Sequence, residues 1–143
     1  MRREGSTCRN LLRWFAILVI IVAQEARVHE LSIAESICRS VTERVGAARI
    51  DEMVVEVGAL SGVNRESLEF CLGEAARISG VRLDRFSVEL VPAQAECECG
   101  NTYEAEDLIQ PCPKCGGFSR SYTGGEDVVV SKLIVVEENG ETN

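Results

Sequence analysis

Seven cysteines and a single histidine are the side chains of this 143-residue chain best suited to chemistry. Four cysteines form two close pairs, Cys97-Glu98-Cys99-Gly100 and Pro111-Cys112-Pro113-Lys114-Cys115-Gly116-Gly117, with twelve residues between Cys99 and Cys112. Two such pairs, each on a tight turn and joined by a hairpin-length spacer, suit a tetrahedral sulfur site, and Gly100 and Gly116 let the chain curl around an ion. Zinc is the expected ion. Four thiolates leave no open position for water, so the site is structural and speaks against a hydrolytic zinc enzyme. The alternatives are two disulfides and a rubredoxin-like iron centre acting as a redox carrier, although rubredoxins usually carry two CxxC pairs and more aromatics nearby. Cys38 and Cys71 fall within predicted helices and read as small core residues rather than nucleophiles. Cys8 supports no inference. A lone histidine, His29, excludes a multi-histidine metal site within one chain, and it stands immediately before the first predicted helix.

Charge and composition narrow the partners. Hydrophobic residues are 45% and charged residues 27% of the chain, which is globular rather than disordered usage. The formal net charge is -8. Residues 28–143 carry ten basic and twenty-one acidic side chains, whereas residues 1–27 carry five arginines and two acids. An acidic body with 5% aromatics is poorly equipped to bind nucleic acid, which demands clustered Lys and Arg or stacking platforms. Residues 1–27 place Arg2, Arg3, Arg9 and Arg13 before an apolar run from Trp14 to Ala23. That texture resembles a secretory signal, but a membrane span needs about 20 apolar residues, and the residues flanking Ala23 and Ala26 do not form a small-residue cleavage site. The expectation is a doubtful leader over 1–27 and no membrane association.

The elements that must position these residues follow from periodicity. Ile33, Ile37, Val41 and Val45, with Ala34 and Cys38 beside them, predict an amphipathic helix over Leu31 to Val45, stopped by Gly46. Val54, Val55 and Val57 mark a strand over Asp51 to Ala59. Asn64 is a good helix N-cap, and Leu68, Leu72, Ala75 and Ile78 line a second helix ending near Gly80. Phe86, Val88 and Leu90 alternate in a second strand ended by Pro92. Val128 to Val136 is a third, β-branched strand. Residues 93–123 are poor in aliphatics and rich in Cys, Gly and Pro, so they form a module too small to fold without metal, set between two strands of one sheet.

On these residues the chain resembles the HypA/HybF family of hydrogenase nickel-incorporation proteins. The resemblance begins at Val28-His29-Glu30-Leu31-Ser32-Ile33-Ala34, continues through Val57-Gly58-Ala59-Leu60-Ser61-Gly62-Val63 and Ser67-Leu68-Glu69-Phe70-Cys71, and takes in the paired cysteines and the tail from Gly125-Glu126-Asp127 to Glu137. It covers 28–143 and none of 1–27. It implies an α+β fold, two helices on a three-stranded sheet with an inserted four-cysteine, zinc-ribbon-like domain. The implied division is a nickel-binding domain over 28–92 plus 124–143 and a zinc-binding domain over 93–123.

The resemblance also implies a cytoplasmic nickel metallochaperone rather than an enzyme. Nickel would be held at His29 and the main chain around His29 and Glu30, with the Glu30 side chain as ligand or orienting group. Zinc would sit at Cys97, Cys99, Cys112 and Cys115. The implied partners are a HypB-type GTPase or related P-loop ATPase and the [NiFe]-hydrogenase large subunit precursor. Ni(II) favours a planar set of nitrogen donors, which an amine, amides and an imidazole two positions into a chain can supply. That geometry works best if the chain begins at Val28, so the expectation is translation from a valine-type codon at that position. The family's first cysteine pair is often CxxC, whereas this chain has Glu96 one place before Cys97 and a CxC pair. The competing reading is a zinc-ribbon module for protein or nucleic-acid interaction.

Overall fold

The computed structural model describes residues 30–136 together with the backbones of Arg13–Phe15 (β1) and Val19–Ile21 (β2). The first helix, α1, spans Glu30–Val45, and α2 spans Arg65–Ser79. Between them runs β3, Arg49–Gly58, and β4, Leu83–Val91, follows α2. The cysteine module holds β5 (Ala93–Cys97), β6 (Thr102–Ala105) and β7 (Ser119–Thr123), and β8 (Val128–Val136) returns to the main sheet. Its long strands lie in the order β8-β3-β4, parallel between β3 and β4 and antiparallel between β3 and β8. The two strands flanking the module thus share a sheet, but each pairs with β3 rather than with the other. The short β1 and β2 pair antiparallel with β8.

Why these residues form these elements is visible in their burial. On α1, Ile33, Ala34, Ile37, Cys38 and Val41 are buried at helical spacing, as the sequence predicts. Helix α2 starts at Asn64, whose side chain accepts from the Ser67 amide at 2.8 Å, and ends at Gly80 in the left-handed conformation. Its buried residues are Leu68, Leu72, Ala75 and Ala76. Ile78 is a correction to the predicted stripe, being 74% exposed. Ile78 lies to one side of the helical face that holds Leu68, Leu72, Ala75 and Ala76.

The sheet contributes Ile50, Met53, Val55 and Val57 of β3, and Val128, Val130, Leu133 and Val135 of β8, to the same core. The inward set changes parity on both strands. The register shifts between Ile50 and Glu52 and between Val54 and Val55, so Asp51 and Ser131 are passed over in the ladder. Each extra residue flips the alternation that follows. A simple period of two therefore does not describe either strand. Among the described residues, no helix is long and apolar enough to cross a membrane.

The module is tied to the main domain at its root. The Leu60 amide donates to the Gly125 carbonyl at 2.7 Å, the Gly58 amide to Asp127 at 2.8 Å, and the Ala59 amide to Val91 at 2.8 Å. The backbones approach so closely that a side chain at Gly58 would collide with the Gly125 carbonyl, and one at Gly125 would stand 2.7 Å from the Ala93 Cβ. Only glycine fits at this crossing.

Candidate metal centre

The cysteine module is a three-stranded antiparallel sheet in the order β6-β5-β7. Its own core is Ala95, Cys97, Tyr103, Ala105 and Cys112, with Tyr122 packed against it. Two of those five are thiols, so little apolar surface is available to hold the sheet together. Two turns bring the thiols inward. In the first, the Cys97 amide donates to the Asn101 carbonyl and the Gly100 amide to the Cys97 carbonyl, both at 2.9 Å. In the second, the Cys112 amide donates to Gly117 at 2.7 Å and the Gly116 amide to Cys112 at 2.8 Å. Gly100 and Gly116 take φ of 87° and 72°, the left-handed region each turn requires.

These turns gather the sulfurs of Cys97, Cys99, Cys112 and Cys115 within 4.8 Å of one another. Cys97 and Cys115 are 3.4 Å apart, and Cys99 and Cys112 are 3.8 Å apart. A zinc ion with Zn–S bonds of ~2.3 Å in a tetrahedron needs sulfurs roughly 3.8 Å apart, so small side-chain adjustments suffice for all four thiols to close on one ion. The same separations far exceed a disulfide bond of ~2.05 Å, and all six described cysteines are free. Shortening the first pair to CxC leaves the quartet intact. Cys97 caps β5 and is buried, while Glu98 and Cys99 are exposed on the turn.

The surroundings act unequally on the sulfurs. The Asn101 side-chain amide donates to Cys112 at 3.6 Å, and the Gly117 amide donates to Cys115 at 3.4 Å. For Cys112, desolvation opposes ionisation, but amides of Cys115 and Lys114, the Asn101 side chain and the Cys97 thiol outweigh it and bring the thiol down to about 6. Cys97 moves the other way. The Cys99 amide favours its thiolate, yet the neighbouring thiols and desolvation together push it up to about 12. Four thiols around one centre cannot all ionise unless a cation neutralises them.

His29 lies outside the described residues. Glu30 opens α1, and its carboxylate Oε1 accepts from the Asn64 amide at 3.3 Å, joining the start of α1 to the start of α2. The two sit on a shallow cleft of about 660 Å³ with Glu66, Phe70 and Cys71 along its wall. Among the described residues, the cysteine quartet is the one set of three or more His, Cys, Asp or Glu donors close enough to share an ion, and Glu30 is not part of it. Cys38 is buried in the core, where desolvation raises its thiol, offset in part by a hydrogen bond with Ser79 and added to by Glu35. Cys71, expected in the core, is half-buried, packs against the core and borders the cleft. The contact between Glu30 and Asn64 spans 34 positions of chain, and the sequence reading of Asn64 as a helix cap gave no signal of it.

Comparison with known proteins bears on the whole of this arrangement. Residues 28–135 match the family model described as "Hydrogenase/urease nickel incorporation, metallochaperone, hypA". A hydrogenase maturation factor HypA from Geotalea daltonii is 37% identical over 110 residues, spanning 76% of this chain and 100% of that protein. A protein of the same name from Methanothermobacter thermautotrophicus is 33% identical over 122 residues, spanning 78% of this chain and 100% of its own length. The solution structure of the Ni metallochaperone HypA from Helicobacter pylori superposes with a TM-score of 0.50 at 21% identity, covering 78% of this chain and all of that one. That likeness concerns the fold.

Proposed function

The chain belongs to the HypA family of nickel-incorporation metallochaperones, and from that premise we propose that it carries Ni(II) at His29 to a [NiFe]-hydrogenase large subunit precursor. The observation that carries the reading is the family match, which starts at the Val28-His29-Glu30 segment and runs through the cysteine quartet. Nickel is cargo here. Its donors are the His29 imidazole and main-chain nitrogens around His29 and Glu30, a nitrogen set that Ni(II) favours. The relatives are named as maturation factors and not as enzymes.

Glu30 acts mainly by position. Its carboxylate already accepts from the Asn64 amide, so it ties the first turn of α1 to the start of α2 beside the cleft. Protons compete with Ni(II) for imidazole and amide nitrogen, so loading weakens in acid. When bound by Cys97, Cys99, Cys112 and Cys115, zinc supplies a closed structural crosslink. The four cysteines hold β5 to the turn before β7, and Asn101 and Gly117 orient two of the sulfurs.

Residues 28–92 with 124–143 form the nickel-carrying domain and 93–123 the zinc domain. The segment that carries the proposed nickel donors, Val28-His29-Glu30, is where the family match begins. Release of nickel is coupled to a HypB-type GTPase or related P-loop ATPase, in the cytoplasm. The delivery test is nickel transfer from loaded protein to purified large-subunit precursor. Transfer that depends on His29 is expected. Precursor that gains nickel equally well from the His29→Ala protein refutes the role.

A further inference from the structure

The loop between β6 and the second cysteine turn displays two large aliphatic side chains, Leu108 at 59% and Ile109 at 73% exposure. A loop of this size could fold such residues inward, yet a set of hydrogen bonds holds it in the displaying form. Tyr103 on β6 and Tyr122 on β7 both lie directly opposite Ala95 on the central strand β5, so they share one face across a small residue. Their hydroxyls reach the same loop. Tyr122 donates to the Leu108 carbonyl at 2.7 Å and Tyr103 to the Gln110 carbonyl at 3.0 Å. The Gln110 side chain closes the loop by accepting from the Glu106 amide at 2.9 Å and donating to the Glu104 carbonyl at 3.1 Å. Asp107 accepts from the Ile109 amide at 3.1 Å.

Preorganised apolar residues at a tip lose little entropy when a partner covers them. The charged residues of the loop itself have one sign. Glu104, Glu106 and Asp107 are exposed, and no basic residue stands between 104 and 110. We propose that Leu108 and Ile109 form a docking knob that inserts into an apolar pocket rimmed by Lys and Arg on a protein partner of nickel delivery. Charge selects that occupant. A second copy would bring an identical acidic border against this one, and an anionic bilayer would repel it. The proposal rests on the nickel-delivery reading and adds to it a surface remote from His29 in sequence.

The experiment titrates zinc-loaded protein against purified large-subunit precursor and, separately, against the P-loop nucleotidase. With Leu108→Ser/Ile109→Ser, affinity for the partner that docks here falls by roughly tenfold or more, while zinc and nickel content stay at wild-type levels. Glu106→Lys/Asp107→Lys slows association and flattens its dependence on salt. Tyr122→Phe, which frees the Leu108 carbonyl, gives an intermediate loss. Wild-type protein that binds a partner with no change in the serine variant overturns the knob and leaves nickel delivery standing. Wild-type protein that binds neither partner overturns both. Loss of self-association, or of binding to anionic vesicles, in the serine variant with partner affinity unchanged assigns the tip to a different occupant and also overturns the proposal.

Discussion

Two adjacent glycines at the root of the zinc module allow backbone strain to be separated from steric collision. Gly124 and Gly125 have nearly the same conformation, φ of 74° and 76°. A side chain at Gly124 meets nothing within 4 Å, whereas one at Gly125 stands 2.7 Å from the Ala93 Cβ, 2.9 Å from its Cα and 3.0 Å from its nitrogen. Gly124→Ala therefore incurs only the left-handed strain, about 1–2 kcal/mol. Gly125→Ala adds an overpacking cost of about 1–3 kcal/mol, because two of the three atoms met belong to backbone and cannot rotate away. The sum, about 2–5 kcal/mol, is a large share of a typical domain stability of about 5–15 kcal/mol. In urea, with a slope of about 1–3 kcal/mol per molar, the Gly125→Ala midpoint should fall below that of Gly124→Ala by about 1 M. Both proteins should keep their zinc, since the cysteine turns lie beyond the joint. Equal midpoints would show that the strands entering and leaving the module are not in the contact described, and the account of the joint would fail.

Removing a zinc ligand by Cys112→Ser should release the metal and expose the amides of Cys97 and Cys112 to rapid hydrogen exchange, with those of α1 and β3 still protected; persistent protection of the cysteine turns would argue that metal does not hold them. Asn64→Ala should lower stability by about 1 kcal/mol through loss of the helix cap yet leave nickel binding intact, because Glu30 is held by the Asn64 backbone amide and not by its side chain. A drop in nickel affinity matching that of a Glu30→Ala protein would contradict this division. Burial raises the Cys38 thiol, so the neutral form is favoured in the folded state. Its contribution to stability is full below the ordinary thiol range and is lost as pH rises through the raised value. In zinc-loaded protein at pH 8, iodoacetamide should accordingly modify Cys71 well before Cys38, and mass spectrometry reading the opposite order would refute the burial argument.

The cysteine site was legible because ligand spacing is a local property. Two turns of fixed size bring the sulfurs to the ends of one short sheet whatever the rest of the chain does, and the structure gathers Cys97, Cys99, Cys112 and Cys115 accordingly. Asn64 and Gly80 were equally legible, since a cap is decided within four residues. What sequence did not disclose depends on partners distant in the chain. The parity changes at Asp51 and Ser131 arise where β3 and β8 meet in a shifted register, which no single-strand pattern encodes. Ile78 sits at a spacing compatible with the predicted stripe and is exposed because α2 buries the row through Leu72, Ala75 and Ala76 instead. Tyr103 and Tyr122 carry no motif, and only their shared position opposite Ala95 reveals that they clasp one loop. The same holds for the Glu30 carboxylate, whose partner lies on the far side of β3 in sequence.

The central claim is that cargo nickel and structural zinc occupy separate places, one at His29 and one at the four cysteines. Native mass spectrometry of the wild-type and His29→Ala proteins, each loaded with zinc and then exposed to Ni(II), tests it most directly. The account predicts that both retain zinc and that only the wild type gains nickel. Nickel retained by His29→Ala, or nickel gained by the wild type at the expense of its zinc, would contradict it.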